Sequence, residues 1–398
     1  MAGEPLLLTG TGRLLMAQVH AAGPVEARSP WAVLVRDGRV AWVGAPDEAP
    51  ATERWEDLGS ALVTPGLVDA HTHPLFAGDR SDEAAARLAG QPYGAGGILR
   101  TVAATRAATD EELRRLTAGR FEAALATGTT TLEAKSGYGL STDEELRALR
   151  IIRDAAEAVG IRVVRTFLGA RALPPDAAST DDYLDTVITD MLPAAAAEAR
   201  FCDVFCDAGF FSVEQAERVL TAARERGMGL KLHAEQLART GATELGIRLG
   251  ATSVDHLEQL DAEGVAALAG SSTVATLLPG PALVLGDHLP PARALLDAGA
   301  TVALATDANA GTYGNLSMPL VIGLGATALH MTVNEAVAAA TAGGAAAIGL
   351  SAELGLVREG MAADLVAWDA EHEGAFALGL GAVRPVRIWT GGRERAVQ

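Results

Sequence analysis

Lysine is nearly absent from this chain: only Lys135 and Lys231 occur, and every other residue among the 32 Lys+Arg is arginine. Beside abundant alanine, that scarcity reads as coding bias rather than chemistry. Cysteine is as rare, with Cys202 and Cys206 alone, and two thiols cannot staple 398 residues, so a reduced, cytoplasmic setting is expected. Lying four apart in one apolar run, they read as core thiols rather than a reactive pair. Positive charge is short too. Against 50 Asp+Glu the balance is −18, which argues against nucleic acid or an anionic membrane as a partner. No run is long and apolar enough to span a bilayer; TVATLLPGPALVLGDHLPP is broken by proline and charge. The opening MAGEPLLLTGTGRLL has neither a basic leader nor a long apolar run, so no secretory signal is expected. Aromatics make up only 4%, yet a hydrophobic fraction of 49% excludes a mainly disordered chain.

What is present is an alternation. Apolar or β-branched runs stand at ALVTPGLVDAH, GTTTLEAK, RVVRTFLGA, FCDVFCDAG, GLKLHAE, TSVDHLE, STVATLLPG and TVALATDAN. Between most of them lie helical stretches such as TDEELRRLTAGRFEAALATG and SVEQAERVLTAARERG, several opening on a capping-box pattern and ending at glycine. Eight buried strands alternating with helices predict an α/β fold, a (β/α)8 TIM-like barrel. A doubly wound sheet is the competitor, but no glycine-rich phosphate motif follows the first strand. Short strands at both ends, with an Asp37-Gly38 hairpin signal, predict a small β-sandwich built from both termini. The expected division is residues 1–60 plus 360–398 for the sandwich and 61–359 for the barrel.

The polar residues that end these strands carry the chemistry. His71 and His73 are one residue apart at the end of the first run, so both imidazoles share one strand face. His233 ends the fifth strand, His256 the sixth and Asp307 the eighth. In such a barrel the C-terminal strand ends converge on one mouth. His71, His73, His233 and Asp307 therefore form a plausible shell for a divalent metal, with a position left for water. Glu235 is expected on the strand face of His233, two residues on. His20, His288, His330 and His372 lie away from strand ends and read as ordinary.

HxH after strand one, His after strands five and six, and Asp after strand eight resemble the amidohydrolase superfamily, whose barrel carries a β-sandwich from both termini. Within it, DAHTHPLFAGDR, AGGILRTVAATRAAT, TTTLEAKSGYGL, TFLGARALPP, DVFCDAGFFS, KLHAEQL, ATLLPG and ATDANAGT resemble a branch that hydrolyses 4-imidazolone-5-propanoate to N-formimidoyl-L-glutamate in histidine degradation. The resemblance covers roughly residues 60–350. It implies one divalent metal, zinc or iron, on His71, His73, His233 and Asp307, and a small anionic cyclic amide as substrate. It assigns Arg80, Tyr93, Tyr138, Asn309, Gly311 and Thr312 to substrate contacts, Glu235 to the ring or the water, and His256 to proton transfer. Glu235, His256 and Asp307 all remain candidates for the general base. A homodimer is implied as well. One departure stands out: where the branch has FLGAH, this chain has FLGAR, placing Arg171 in the substrate pocket. Arg171 leaves open a related hydrolase or deaminase acting on another imidazolone- or hydantoin-type ring with an acidic tail. The non-enzyme alternative, an inactive metal-binding scaffold, is disfavoured because every ligand is present.

Overall fold

The computed structural model describes residues 4–16, 26–90 and 96–396; Tyr93 and His20 lie outside the described residues. Eight parallel strands form one sheet in sequential order: β1 (Leu67–Asp69), β2 (Thr129–Lys135), β3 (Arg162–Ala170), β4 (Phe201–Cys206), β5 (Gly229–Ala234), β6 (Ser253–His256), β7 (Val274–Leu277) and β8 (Val302–Leu304). Each of the eight runs singled out in the sequence supplies one strand of this sheet. The edges β1 and β8 meet just above their last residues. There the Asp307 amide donates to the His71 carbonyl at 3.0 Å and the His73 amide to the Ala308 carbonyl at 2.9 Å. The buried Asp69 carboxylate ties the same seam, accepting from the Thr306 amide at 3.0 Å and the Thr306 hydroxyl at 2.6 Å. Two of the segments that carry candidate ligands thus close the barrel.

The intervening helices start where their caps dictate. Thr109 accepts from the Glu112 amide ahead of Asp110–Ala126, and Ser212 forms a full capping box with Gln215 ahead of Val213–Glu225. Gly160 ends Thr142–Val159 at φ 75°, the left-handed cap glycine accepts without strain. Their apolar faces pack on the outer face of the sheet, where the alternate residues Cys202, Val204 and Cys206 of β4 are buried. Both thiols are free. No described helix is long and apolar enough to cross a membrane.

The ends of the chain build two further sheets. One runs Arg39–Gly44, Trp31–Arg36, Leu6–Gly10, Arg54–Asp57, and its first hairpin turns at Asp37 (φ 51°) and Gly38 (φ 77°), the paired positive φ of a two-residue turn. The other places Val63–Pro65 antiparallel to Leu365–Trp368, joining the two termini in one ladder. Leu8, Leu14, Trp31, Val33, Val63, Leu365 and Trp389 form a core of their own between these sheets. The run ALVTPGLVDAH, read as one strand, is therefore split. Val63–Pro65 serves the terminal sheets and Leu67–Asp69 the barrel, with the chain redirected at Gly66. There the side chain of Thr130 would lie 2.2 Å from any added Cβ.

Candidate active site

Barrel interiors are usually filled by Val, Ile and Leu; this one is charged. Strand alternation turns Glu133 and Lys135 of β2, Asp203 of β4, Lys231 and His233 of β5, and Ser253 and Asp255 of β6 inward, all buried. Parallel register sets Asp203 beside Lys231 beside Ser253, and His233 beside Asp255 one step higher. The upper layer at the mouth holds His71, His73, His233, His256 and Asp307. His71, His73 and Asp307 form one group with ligand atoms within 4.8 Å of one another, and His71, His233 and His256 form a second. Asp307 Oδ1 lies 3.4 Å from His73 Nε2 and 3.6 Å from His71 Nε2, and the Nε2 atoms of His73 and His233 are 3.4 Å apart. The five residues come together as their strand-end positions predict.

Their orientation is imposed from below. His71 Nδ1 sits 2.7 Å from Asp255 Oδ2, and His233 Nδ1 lies 3.0 Å from Asp203 Oδ2. A carboxylate accepts only, so the His71 imidazole carries its proton on Nδ1 and turns a bare Nε2 to the centre, while His233 faces Asp203 at ion-pair distance without an aligned hydrogen bond. His71 Nε2 is a buried nitrogen with no hydrogen-bond partner, which a cation would satisfy. Burial holds His71 and His73 far below the usual histidine range and takes His233 to about 4, so all three are neutral near pH 7. Neutral imidazole is the ligating form. Burial also lifts the Asp307 carboxyl to about 6. At His256 burial works against the charged ring, but Glu258, 3.5 Å away, outweighs it and raises the pKa. Three histidines and one carboxylate with an unsatisfied inward nitrogen fit a divalent metal.

The cavity against this cluster is small, about 20 Å³, lined by His73, Arg80, Arg171, Gln236, Asn309 and Thr312 among others. That is room for one water or one ion. A far larger space of about 970 Å³ opens between the terminal sheets and the starts of β2 and β3, and touches none of the candidate residues. Chemistry, not volume, therefore locates the site.

Arg171 fills much of the mouth. Its NH1 lies 2.7 Å from His73 Nδ1, NH2 donates to the Tyr138 hydroxyl at 3.2 Å, and its guanidinium sits 4.6 Å over the Tyr138 ring. Tyr138 thus stands behind Arg171, buried, rather than against the cavity. Arg80 is held by Glu83 through Nε at 2.8 Å and NH2 at 2.6 Å, and Arg87 meets the same carboxylate at 2.9 Å. The Arg80 guanidinium lies in a slot between two glycines: a Cβ on Gly97 would fall 1.9 Å from NH2, and one on Gly311 2.3 Å from NH1. Gly311 therefore admits the arginine. Asn309 shapes its loop instead of reaching outward. Its amide donates to the Asp307 carbonyl and to Thr312 Oγ1, and its oxygen accepts from the amides of Gly311 and Thr312.

The structure does not bring Glu235 to the centre. β5 ends at Ala234, and Glu235 takes φ 56°, so strand alternation no longer applies. Its carboxylate accepts from the amides of Thr240, Gly241 and Thr243 and from Arg239, away from the mouth. Gln236 lines the cavity in its stead, one residue further than alternation predicts. The Asp203, Asp255, Lys135 and Lys231 layer also escaped sequence reasoning. Its signal was there: polar residues two before a candidate ligand, as in KLH, or next to a strand-end histidine, as in VDH, inside otherwise apolar strands.

A model of the amidohydrolase family matches residues 62–394, from the start of the barrel almost to the end of the chain. The chain belongs to the amidohydrolase family. Among its relatives, an imidazolonepropionase of Salinispora tropica is 49% identical over 369 residues, covering 92% of each chain. One of Nocardia farcinica is 43% identical over 387 residues, covering 97% of each. Among solved amidohydrolase-like folds, a zinc-bound adenosine deaminase from Xanthomonas campestris superposes with a TM-score of 0.73 at 20% identity, covering 99% of this chain and 93% of that one. The triazine hydrolase from Arthrobacter aurescens reaches 0.76 at 19%, covering 98% and 94%. These structures share the fold; the relatives of higher identity place the chain among the imidazolonepropionases. Within this amidohydrolase the His/Asp cluster offers a donor set that suits a divalent metal.

Proposed function

We propose that this site hydrolyses 4-imidazolone-5-propanoate to N-formimidoyl-L-glutamate, using a single zinc or iron held by His71, His73, His233 and Asp307. The observation that carries the reading is the convergence of these neutral imidazoles and one carboxylate beside a buried arginine, Arg80, set to take the propionate. A divalent cation held by His71, His73, His233 and Asp307 would supply Lewis acidity, making hydroxide available near neutral pH and drawing charge from the ring carbonyl. Arg80 binds the substrate carboxylate, for which a planar guanidinium is the matching donor. Arg171, which only donates, turns from His73 to the ring carbonyl and favours its developing negative charge. Asp307 accepts the proton of the attacking water at a carboxylate oxygen and returns it to the ring nitrogen as the C–N bond breaks. His256, 3.5 Å from Glu258 in the same mouth, serves as the second proton-transfer group. Gln236 supplies an amide to the imidazolone ring, the role expected of Glu235. The substrate is small and anionic and both buried cysteines are unpaired with each other, which supports action in the cytoplasm.

The direct test is an assay on freshly generated 4-imidazolone-5-propanoate, comparing wild type with Arg171→His. Consumption of the substrate with appearance of N-formimidoyl-L-glutamate is expected from both. If it is untouched while a hydantoin or another cyclic amide is opened, and Arg171→His restores its turnover, Arg171 marks a changed substrate and the reading fails. The slot around Arg80 makes a separate prediction. Gly311→Ala should displace the guanidinium at a cost of about 1–3 kcal/mol, raising KM with kcat nearly constant. An unchanged KM in steady-state kinetics would remove Arg80 from the substrate site.

A further inference from the structure

The two lysines of the chain meet beneath the ligand histidines, and nothing in the reaction uses them. Lys135 Nζ lies 2.7 Å from Glu133 Oε1, 2.8 Å from Asp203 Oδ2 and 3.7 Å from Asp255 Oδ2. Lys231 Nζ donates to Ser253 Oγ at 2.6 Å and to the Ala347 carbonyl at 3.1 Å, and lies 3.5 Å from Asp255 Oδ2. All of these side chains are fully buried. Of the carboxylates they meet, Asp255 is hydrogen-bonded to His71 Nδ1 at 2.7 Å and Asp203 faces His233 Nδ1 at 3.0 Å. Buried carboxylates without a counter-charge are costly and would protonate or turn away.

We infer that Lys135, assisted by Lys231, is a positioning residue of the metal centre: it fixes Asp203 and Asp255 as oriented acceptors, so that His233 and His71 present Nε2 to the cation. The inference rests on the metal reading above. Position in the barrel supports it. Lys135 ends β2 and reaches a carboxylate of β4 and one of β6 from a single atom. Charge supports it as well. Burial opposes the Lys135 ammonium, yet Asp203, Glu133 and Asp255 outweigh it and keep the group protonated. The arrangement parallels the outer partners that orient metal-bound histidines generally, whose loss weakens metal binding by about 10–100-fold.

The test uses the metal-stripped full chain titrated with zinc against a chromophoric chelator, together with the visible absorption of the cobalt-loaded protein. Lys135→Met should weaken zinc binding about 10–100-fold and shift the cobalt spectrum, because the imidazoles are no longer aimed. Adding Glu133→Gln removes the other carboxylate left without an ammonium. The double variant should regain the thermal midpoint of the metal-free chain but not the zinc affinity, and it carries the test if the single variant is too unstable to purify. Wild-type affinity and spectrum in either variant would overturn the positioning role and leave Lys135 a structural counter-charge. Failure of the wild type itself to bind zinc or iron would instead overturn the metal reading, and this inference with it.

Discussion

His71→Ala should lose its bound metal and lower kcat/KM by about 10³-fold or more, the equivalent of about 4 kcal/mol of barrier. His71 is the residue common to both ligand groups at the mouth, so its removal opens each of them. The fold should survive the change. Asp255, which loses the imidazole, still accepts from Ser253 Oγ at 2.5 Å and faces the ammonium groups of Lys231 and Lys135 at 3.5 and 3.7 Å. The experiment pairs elemental analysis with turnover. Chelator treatment of wild type should abolish activity, zinc or iron should restore it, and the same additions should leave His71→Ala inactive. A variant that retains full turnover, or purified wild type without a transition metal, would sink the mechanism.

Arg80→Met should act on binding rather than on chemistry. Removing one member of a buried, hydrogen-bonded charge pair costs about 2–5 kcal/mol, so KM for the propionate substrate should rise about 10²-fold or more. A contact remote from the scissile bond is made alike in ground and transition state, so kcat should fall much less. Glu83 keeps Arg87 at 2.9 Å when Arg80 is gone, which spares the helix Ser81–Leu88 an unpaired, half-buried charge. A substrate analogue lacking the carboxylate is the control, and it should be turned over equally by both proteins. Equal losses on both substrates, or a loss confined to kcat, would show that Arg80 does not recognise the tail.

The strand alternation, the two-residue hairpin and the strand-end histidines were legible because each depends on local chemistry: period, turn residues and capping pairs. Three things were not. Glu235 was expected beside His233, but alternation holds only while the chain is extended, and the positive φ at Glu235 ends it. Splitting Val63–Pro65 from Leu67–Asp69 required knowing that the far terminus returns to pair with the first of them, a contact some 300 residues away in sequence. The charged layer under the histidines was missed for a different reason. Asp203 and Asp255 read singly as polar interruptions of apolar strands, and only barrel closure shows that they share Lys135. Arg171 was flagged from the sequence as a departure, and the structure shows where it goes: onto His73 and the Tyr138 ring.

The scarcity of lysine therefore has a meaning that composition could not supply. Codon bias can explain why arginine replaced lysine on the surface, but not why the two survivors both lie inside the barrel with no solvent exposure. The folded chain consequently presents no side-chain amine to acylating dyes, aldehyde fixatives or lysine-directed crosslinkers. A lysine-specific protease has no site to cut until the barrel opens. Its cleavage after Lys135 and Lys231 then reports the opening of the very layer that underlies the metal site, an intrinsic reporter of barrel integrity that requires no label.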